Sequence, residues 1–369
     1  MSVDPIEFIK IPDYQKIKQN FLHELTLASK NKPSSIFFFK HHLPDHSLLT
    51  KGIVQGIVIG GTNYILSTEE ITSKGIRKTL KKTTGILPVL ATKQILIDFL
   101  GKHLDPRADA IGINFGFPLQ AYTGVNGEID GKLAHTTKEH AFKGLLNEPL
   151  GPLIKDLFLT KYGRIPLVSV ANDTVCLTLS GDGTEVGSFV AGTGFNMCLI
   201  LQDKNKKILV NLECGNFNKF TPTPILQKID AESEVPGGQL FEKAISGKYL
   251  ALYFNEKIKE LNLSFSAIST SQELSELSHT NHHDVAGDLA RAIITRSAYL
   301  VAAAIAGVYE FYDKPQSFTL IGEGSLLWDG WNYHENIQKQ LVQLGLPQDT
   351  VTIKHIKNSS LKGAFGLII

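Results

Sequence analysis

Asp173 is the residue around which chemistry can be arranged in this chain. It follows an apolar run ending at Ala171, in the stretch VSVANDTVCLTLSG that begins at Val168. Such a run reads as a buried strand, and Asn172, Asp173 and Thr174 stand where a helix should start. A carboxylate at that strand end can take the proton of a substrate hydroxyl lying within hydrogen-bond reach. Asn172 and Asp173 are also both suited to capping the helix. Downstream, GSFVAGTGFNMCLIL from Gly187 gives two strand-like runs joined by Gly192, Thr193 and Gly194. That tight turn has backbone N–H groups able to line a phosphate. Gly60, Gly61, Thr62 and Asn63 make a second such turn inside GIVQGIVIGGTNYIL, which alternates apolar residues as a hairpin does. Glu213 in NLECGNF and Glu242 in GGQLFEKAI add carboxylates that accept charge-assisted hydrogen bonds from hydroxyls. Glu242 would also suit the first turn of a helix for dipole reasons.

Taken in order, these motifs resemble those of the eukaryotic-type hexokinases and glucokinases: ANDT at Ala171, GTG-x-N at Gly192 and N-x-E-x-G-x-F at Asn211. The resemblance extends to GGTN at Gly60, FGFP at Phe115, the pair Thr137 and Lys138, PGGQLFEKAISGKYL from Pro236, TRSAYLVAAAIAGV from Thr295 and SSLKGA from Ser359. It covers nearly everything after about residue 50. It implies an α/β, actin-like (ribonuclease H-like) two-domain sugar kinase fold with a central cleft. It also implies ATP-dependent phosphorylation of a hexose, glucose first among them, at the 6-hydroxyl, with Mg2+ accompanying the nucleotide. In that frame Asp173 is the base, and Thr137, Lys138, Asn172, Asn196, Glu213 and Glu242 bind the sugar. The nucleotide falls to Gly60, Gly61, Thr62, Asn63, Gly192, Thr193, Gly194, Gly322, Gly324, Ser325 and Ser360, with Arg296, Ser297 and Ala298 near its base. No metal-ligand cluster is expected from the side chains.

The chain departs from the pattern at several points. The resemblance places an aspartate at position 58 and an arginine at 65, where this sequence has Val58 and Ile65. The loss bears on the chemistry, because phosphoryl transfer is catalysed largely by placing positive charge and Mg2+ against the migrating group. Three readings compete: reduced activity, substitution by Glu69, Glu70, Arg77, Lys78, Lys81 or Lys82, or a sugar-binding or regulatory protein without phosphorylation. A sugar-contacting serine becomes Gly116, a loss of about 1 kcal/mol by the usual size of a neutral hydrogen bond. Thr136 and Glu139 replace a tryptophan and a glycine around the Thr137–Lys138 pair, and Glu323 replaces an aspartate.

The elements that must position these residues read as follows. Residues 13–30 have helical apolar spacing, QILIDFLGKHL is an amphipathic helix, and ADAIGINF is a strand running into a loop. Residues 74–93 are basic and read as a solvated surface. The segment from Asn262 to His283 is polar; His279, His282 and His283 lack partners at ligand spacing and read as a solvated loop. A long alanine-rich helix follows Asp284. The expected division is 1–51 as an N-terminal helix and connector, 52–171 plus 359–369 as a smaller domain, and 172–358 as a larger one.

Composition sets the remaining bounds. The length of 369 residues suggests two domains or one large one, and 43% hydrophobic content suffices for a substantial core. With 37 basic against 36 acidic residues, no global field points to nucleic acid or to a membrane as partner. Cys176, Cys198 and Cys214 lie in or beside apolar runs and read as reduced core thiols. The N-terminus lacks a signal-peptide layout and no apolar run reads as long enough to span a membrane, so a cytoplasmic enzyme is expected. Oligomeric state has no signature.

Overall fold

The computed structural model describes residues 12–44, 47–75, 77–125, 127–134, 140–279 and 284–369. Within these, two compact units form: unit 1 from residues up to 38 with 189–197 and 212–355, and unit 2 from 39–188, 198–211 and 356–369.

Unit 1 begins with α1 (Tyr14–Ser29), whose N-cap Asp13 accepts from the Lys16 amide. Later in the chain, α9 (Val285–Phe311) is capped by Asp284, whose side chain accepts from the Gly287 amide. The two helices pack against each other, and Lys18 reaches Glu310 at 2.9 Å across them. By length and hydropathy α9 is able to cross a bilayer, which corrects the expectation that no apolar run is that long; its most apolar window is 83% buried inside the protein. A continuously apolar helix is what a core position selects. The helices α8 (Ser271–Ser278) and α11 (Tyr333–Gln343) also pack on it. The sheet segment here runs in the order β10-β9-β12-β13, from β9 (Gly187–Ala191), β10 (Phe195–Asp203), β12 (Phe318–Glu323) and β13 (Val351–Lys354). Unit 1 also holds the short helices α6 (Leu240–Ile245) and α10 (Ser325–Asp329).

Unit 2 is built on a five-stranded sheet in the order β4-β3-β2-β5-β8. Its strands are β2 (Gly52–Ile59), β3 (Asn63–Ile71), β4 (Arg77–Ile86), β5 (Ala110–Phe115) and β8 (Leu167–Ala171). The first three are antiparallel, and β2, β5 and β8 run parallel. Alternation sorts the side chains to two faces. Ile57, Ile59, Ile111 and Ile113 pack with α2 (Lys93–His103) and α3 (Leu150–Tyr162). Val54, Val58 and Ala110 pack with α4 (Asp173–Leu179) and α12 (Ser359–Gly366). Two glycines let α12 lie close: a Cβ on Gly112 would sit 1.8 Å from the Ala364 carbonyl oxygen, and one on Gly363 would sit 1.9 Å from that of Cys176.

That packing moves the expected boundaries. Because α4 is bound to the sheet through α12, residues 172–188 stay in unit 2, and the division falls after 188 instead of 171. The stretch 198–211 also returns to unit 2, while α1 joins unit 1 instead of standing apart with its connector.

Candidate active site

In unit 2 the junction of β8 and α4 settles which residue caps the helix. Asn172 has extended backbone (φ −73°, ψ 173°), and its side-chain oxygen accepts from the Val175 amide. It is only 3% exposed. Asp173, the first helical residue, is exposed, and its Oδ1 accepts from the Thr174 amide at 2.7 Å. Asn172 therefore does the capping, and the neighbouring carboxylate stands at the strand end facing water.

The Gly60–Asn63 turn closes the β2–β3 hairpin through a bond from the Gly60 amide to the Asn63 carbonyl, 3.0 Å. The Thr62 carbonyl accepts from the Leu87 amide at 2.8 Å. Buried His140, which the motif reading passed over, holds the turn's other carbonyl. Its Nδ1 accepts from the Leu90 amide (3.1 Å), so Nε2 carries the hydrogen and donates to the Gly61 oxygen (2.9 Å). Among the described residues none accepts from the Gly61 or Thr62 amide. A turn with pinned carbonyls and outward amides is a fitting anion cradle. Beside it, Gly116 donates its amide to Ile59, and a Cβ there would lie 3.1 Å from the Ile59 oxygen, so the serine of the resemblance would press on this turn.

Val58 and Ile65 are direct cross-strand partners. Val58 is 8% exposed in an apolar cluster with Ala171, Val175, Leu361 and Phe365, and Ile65 packs on the same cluster. The two departures thus form one interaction: a polar pair has been replaced by an apolar one that extends the core. The same register disposes of the substitutes. Asn63 pairs with Ile86, so Lys82 is 86 − 82 = 4 residues from the turn end of β4 and Arg77 is 86 − 77 = 9. At about 3.3 Å per residue those are roughly 13 and 30 Å, more than an extended side chain spans. Glu69 and Glu70, about 20 Å along β3 by the same spacing, are equally remote.

In unit 1 the Gly192–Gly194 turn is closed by the bond from the Gly192 amide to the Gly194 carbonyl at 3.0 Å, and the Gly192 carbonyl accepts from Gly247 at 2.8 Å. Three predicted sugar residues meet just after it. Asn196 Oδ1 accepts from the Met197 amide (2.7 Å), and its Nδ2 donates to Glu213 at 3.4 Å. Glu242 Oε2 accepts from the Phe195 amide at 3.0 Å. Glu213 has left-handed backbone, φ 43°, and Asn216, another residue the motifs did not single out, ties its turn to the start of α6. Asn216 donates to the Glu213 carbonyl (3.1 Å) and accepts from the Gln239 amide (3.2 Å). A Cβ on Gly194 would come 2.9 Å from Glu242 Oε2, so a side chain there would displace that carboxylate. Burial, then the Glu213 charge, pushes the adjacent Cys214 thiol far up its scale.

The predicted nucleotide residues divide by role. Gly324 (φ 121°) lies against the Gly192 turn, where its Cβ would be 2.2 Å from the Ala191 oxygen, and Ser325 is exposed at the start of α10. Gly322 is buried, and a Cβ there would strike Leu327 and Ile353; it serves packing. Ser297 and Arg296 are also buried. Ser297 bonds the Ile245 carbonyl and the Tyr333 hydroxyl, both at 2.7 Å, and so ties helix to helix. Ser360 lies in unit 2, its carbonyl accepting from Asn114 at 3.2 Å. Thr137, Lys138, His282 and His283 lie outside the described residues. Among those described, no three His, Cys, Asp or Glu side chains form a metal-binding group.

The hexokinase family model matches residues 186–282 and 254–368. The chloroplastic hexokinase-2 of Nicotiana tabacum is 24% identical over 394 residues, spanning 85% of this chain and 78% of the relative. The hexokinase of Schistosoma mansoni is 26% identical over 66% of this chain and 60% of its own length. The solved structure of Schistosoma mansoni hexokinase complexed with glucose superposes with a TM-score of 0.82 at 20% identity, over 99% of this chain and 96% of that one. A hexokinase of the ROK type from Thermus thermophilus superposes at 0.55 and 15% identity, over 85% of this chain. The fold is the actin-like, two-domain fold of the sugar kinases. Within that class, residues 186–368 of this chain match the hexokinase family model, and the relatives it is similar to in sequence are hexokinases.

Proposed function

We propose that the chain transfers the terminal phosphoryl group of ATP to the 6-hydroxyl of a hexose, glucose first, at the entry to hexose metabolism. The observation that carries the reading is the β8–α4 junction, where Asn172 takes the cap and leaves the Asp173 carboxylate exposed at the strand end. A sugar hydroxyl is a weak nucleophile. Asp173 takes its proton as the oxygen bonds phosphorus and the bond to the departing ADP breaks. The resemblance gives Asn196, Glu213 and Glu242 the part of partners for sugar hydroxyls. Asn172 would meet another through its Nδ2, and Thr137 and Lys138 keep the sugar-binding role the resemblance gives them.

ATP phosphates suit the amides of the Gly60–Asn63 turn and of the turn at Gly192, and Gly324 with Ser325 suits the nucleoside end. Mg2+ does not find the protein carboxylate that the resemblance implies, because Val58 offers no oxygen; none of these steps is assigned to the metal. A cytoplasmic location belongs to the same proposal, supported by three buried cysteines that form no disulfide, and fractionation tests it.

One observation favours a second reading, a weak or non-catalytic sugar-binding protein: the Val58–Ile65 pair is integrated into the core. A coupled assay with ATP, Mg2+ and a panel of hexoses, run beside calorimetry with the sugars, separates the two. Turnover supports the first reading, and hexose binding without product supports the second. In an active enzyme, Asp173→Asn is expected to cut turnover by about 10²–10⁴ with an unchanged unfolding midpoint, since the side chain is exposed. Near-normal turnover would remove Asp173 as the base.

A further inference from the structure

We propose that unit 2 carries an anion-binding pocket for a phosphate-bearing small molecule, at the C-terminal end of α2 over strands β2 to β4. The cavity is about 280 Å³. Its floor is set by register: Gln55 pairs with Thr68 and Thr68 with Lys81, so the three side chains share one face across three strands. Its roof is fixed by Gln55, which donates to the His103 carbonyl at 2.8 Å and accepts from the Asp105 amide at 3.0 Å. The end of α2 is thereby clamped over the sheet.

Charge in the cavity is one-sided. Lys81, Lys102, His103 and Arg107 line it, and Asp105 is its one carboxylate. That carboxylate is already engaged by the Arg107 fork, Nε to Oδ1 at 3.0 Å and Nη2 to Oδ2 at 2.8 Å. Among the described residues neither Lys81 nor Lys102 has a carboxylate partner. The His103 ring is held in place by Phe99 (4.7 Å between centroids) and Tyr64 (5.1 Å). Burial, then Lys81 and Lys102, lower its basicity. Uncompensated cations converging on a partly enclosed space, with a fixed polar floor, match a multiply charged oxyanion. The pocket lies on the opposite face of the sheet from Val58 and Ile65, so it does not depend on the transfer chemistry proposed above.

The test is titration calorimetry of the full chain at low ionic strength, with inorganic phosphate, with sulfate and with acetate as probes. Saturable uptake of phosphate and sulfate is expected, stronger than of acetate. It should be weakened by about tenfold or more in Lys81→Ala/Lys102→Ala and retained in a control, Lys206→Ala/Lys207→Ala, which removes two exposed lysines elsewhere in unit 2. Circular dichroism confirms that each variant folds. No saturable uptake by the wild-type chain, or uptake by the Lys81/Lys102 variant within about twofold of wild type, overturns the proposal. The second result would place the anion elsewhere, as at the glycine turns.

Discussion

Val58→Asp asks whether the apolar pair that replaces the family's charged one is a coupled structural unit. Val58 is 8% exposed, so removing it forfeits most of the roughly 1.5–2 kcal/mol that burying a valine contributes. The new carboxylate enters an apolar cluster of Val54, Ala171, Val175, Leu361 and Phe365, with the Arg77 guanidinium 5.6 Å over the Phe365 ring. An unpaired buried charge costs several kcal/mol unless the group takes a proton instead. A total loss of about 3–5 kcal/mol is expected at neutral pH. Burial raises the pKa of such a carboxyl, so the deficit should shrink as pH falls and the group becomes neutral.

Ile65→Arg in the same chain puts a guanidinium on the directly opposite residue, where Cβ atoms stand about 5 Å apart. Ile65 is half-buried, so the arginine head can reach water while its stem covers the cluster. The pair should recover about 1–2 kcal/mol, seen in urea unfolding as a coupling energy between the two substitutions with unchanged m values. Turnover with ATP, Mg2+ and glucose should then rise above wild type, since the charge that screens the phosphates is restored. A Val58→Asp variant as stable as wild type, or strictly additive substitutions, would refute the coupled pair. A stable double variant with unchanged or lower turnover would refute the claim that this pair limits transfer.

Asp130 is 1% exposed, and burial raises its pKa from 3.8 to about 6 despite bonds from the Gly131 and Gly151 amides and the nearby Lys155. The folded chain therefore holds a proton that the unfolded chain has released. Stability should fall as pH rises from about 4 to about 6 and then level off; in Asp130→Asn this part of the slope should vanish, and a persisting slope would assign it to other groups. The thiols of Cys176, Cys198 and Cys214 are buried, and burial pushes Cys198 up to about 12. An aromatic disulfide reagent should react slowly with the native protein and with all three thiols after denaturation, whereas fast native reaction would contradict their burial. Gly116→Ser adds a hydroxyl where the resemblance has one, but its Cβ meets the Ile59 oxygen at 3.1 Å. Hexose affinity should gain no more than about fivefold, and a larger gain in calorimetry would mean that the turn shifts without cost.

Much of this was legible because local chemistry and tertiary context agree. The apolar run to Ala171 and the Asn-Asp-Thr that follows produce the strand, the cap and the helix start where the pattern puts them. The glycine turns at Gly60 and Gly192 likewise close their hairpins where alternation on either side requires. What was hidden depended on register. Val58 faces Ile65 through the pairing of β2 with β3, and residues 77–82 lie remote from the turn through the pairing of β3 with β4. His140 was hidden for a related reason. A lone histidine after the Thr137–Lys138 pair carries no motif, and its role as the clamp on Gly61 arises from a contact 79 positions away in sequence.

The glycines show why a motif letter does not by itself assign a residue to a ligand. Gly322 and Gly324 stand two apart in one nucleotide-type motif, yet a Cβ on the first meets only side chains, Leu327 at 2.5 Å and Ile353 at 2.7 Å, while one on the second meets the backbone of Ala191 and Gly192. Replacing Gly322 by alanine is a packing problem that side chains can partly absorb. At Gly324, φ is 121° and the neighbour is a carbonyl oxygen 2.2 Å from the added carbon, so alanine forces the Gly192 turn itself to move. Gly322→Ala should therefore lower stability and spare the KM for ATP, and Gly324→Ala should raise that KM even where the fold survives. The reverse pattern in thermal unfolding and steady-state kinetics would show that the buried glycine, and not the one at the turn, governs nucleotide binding.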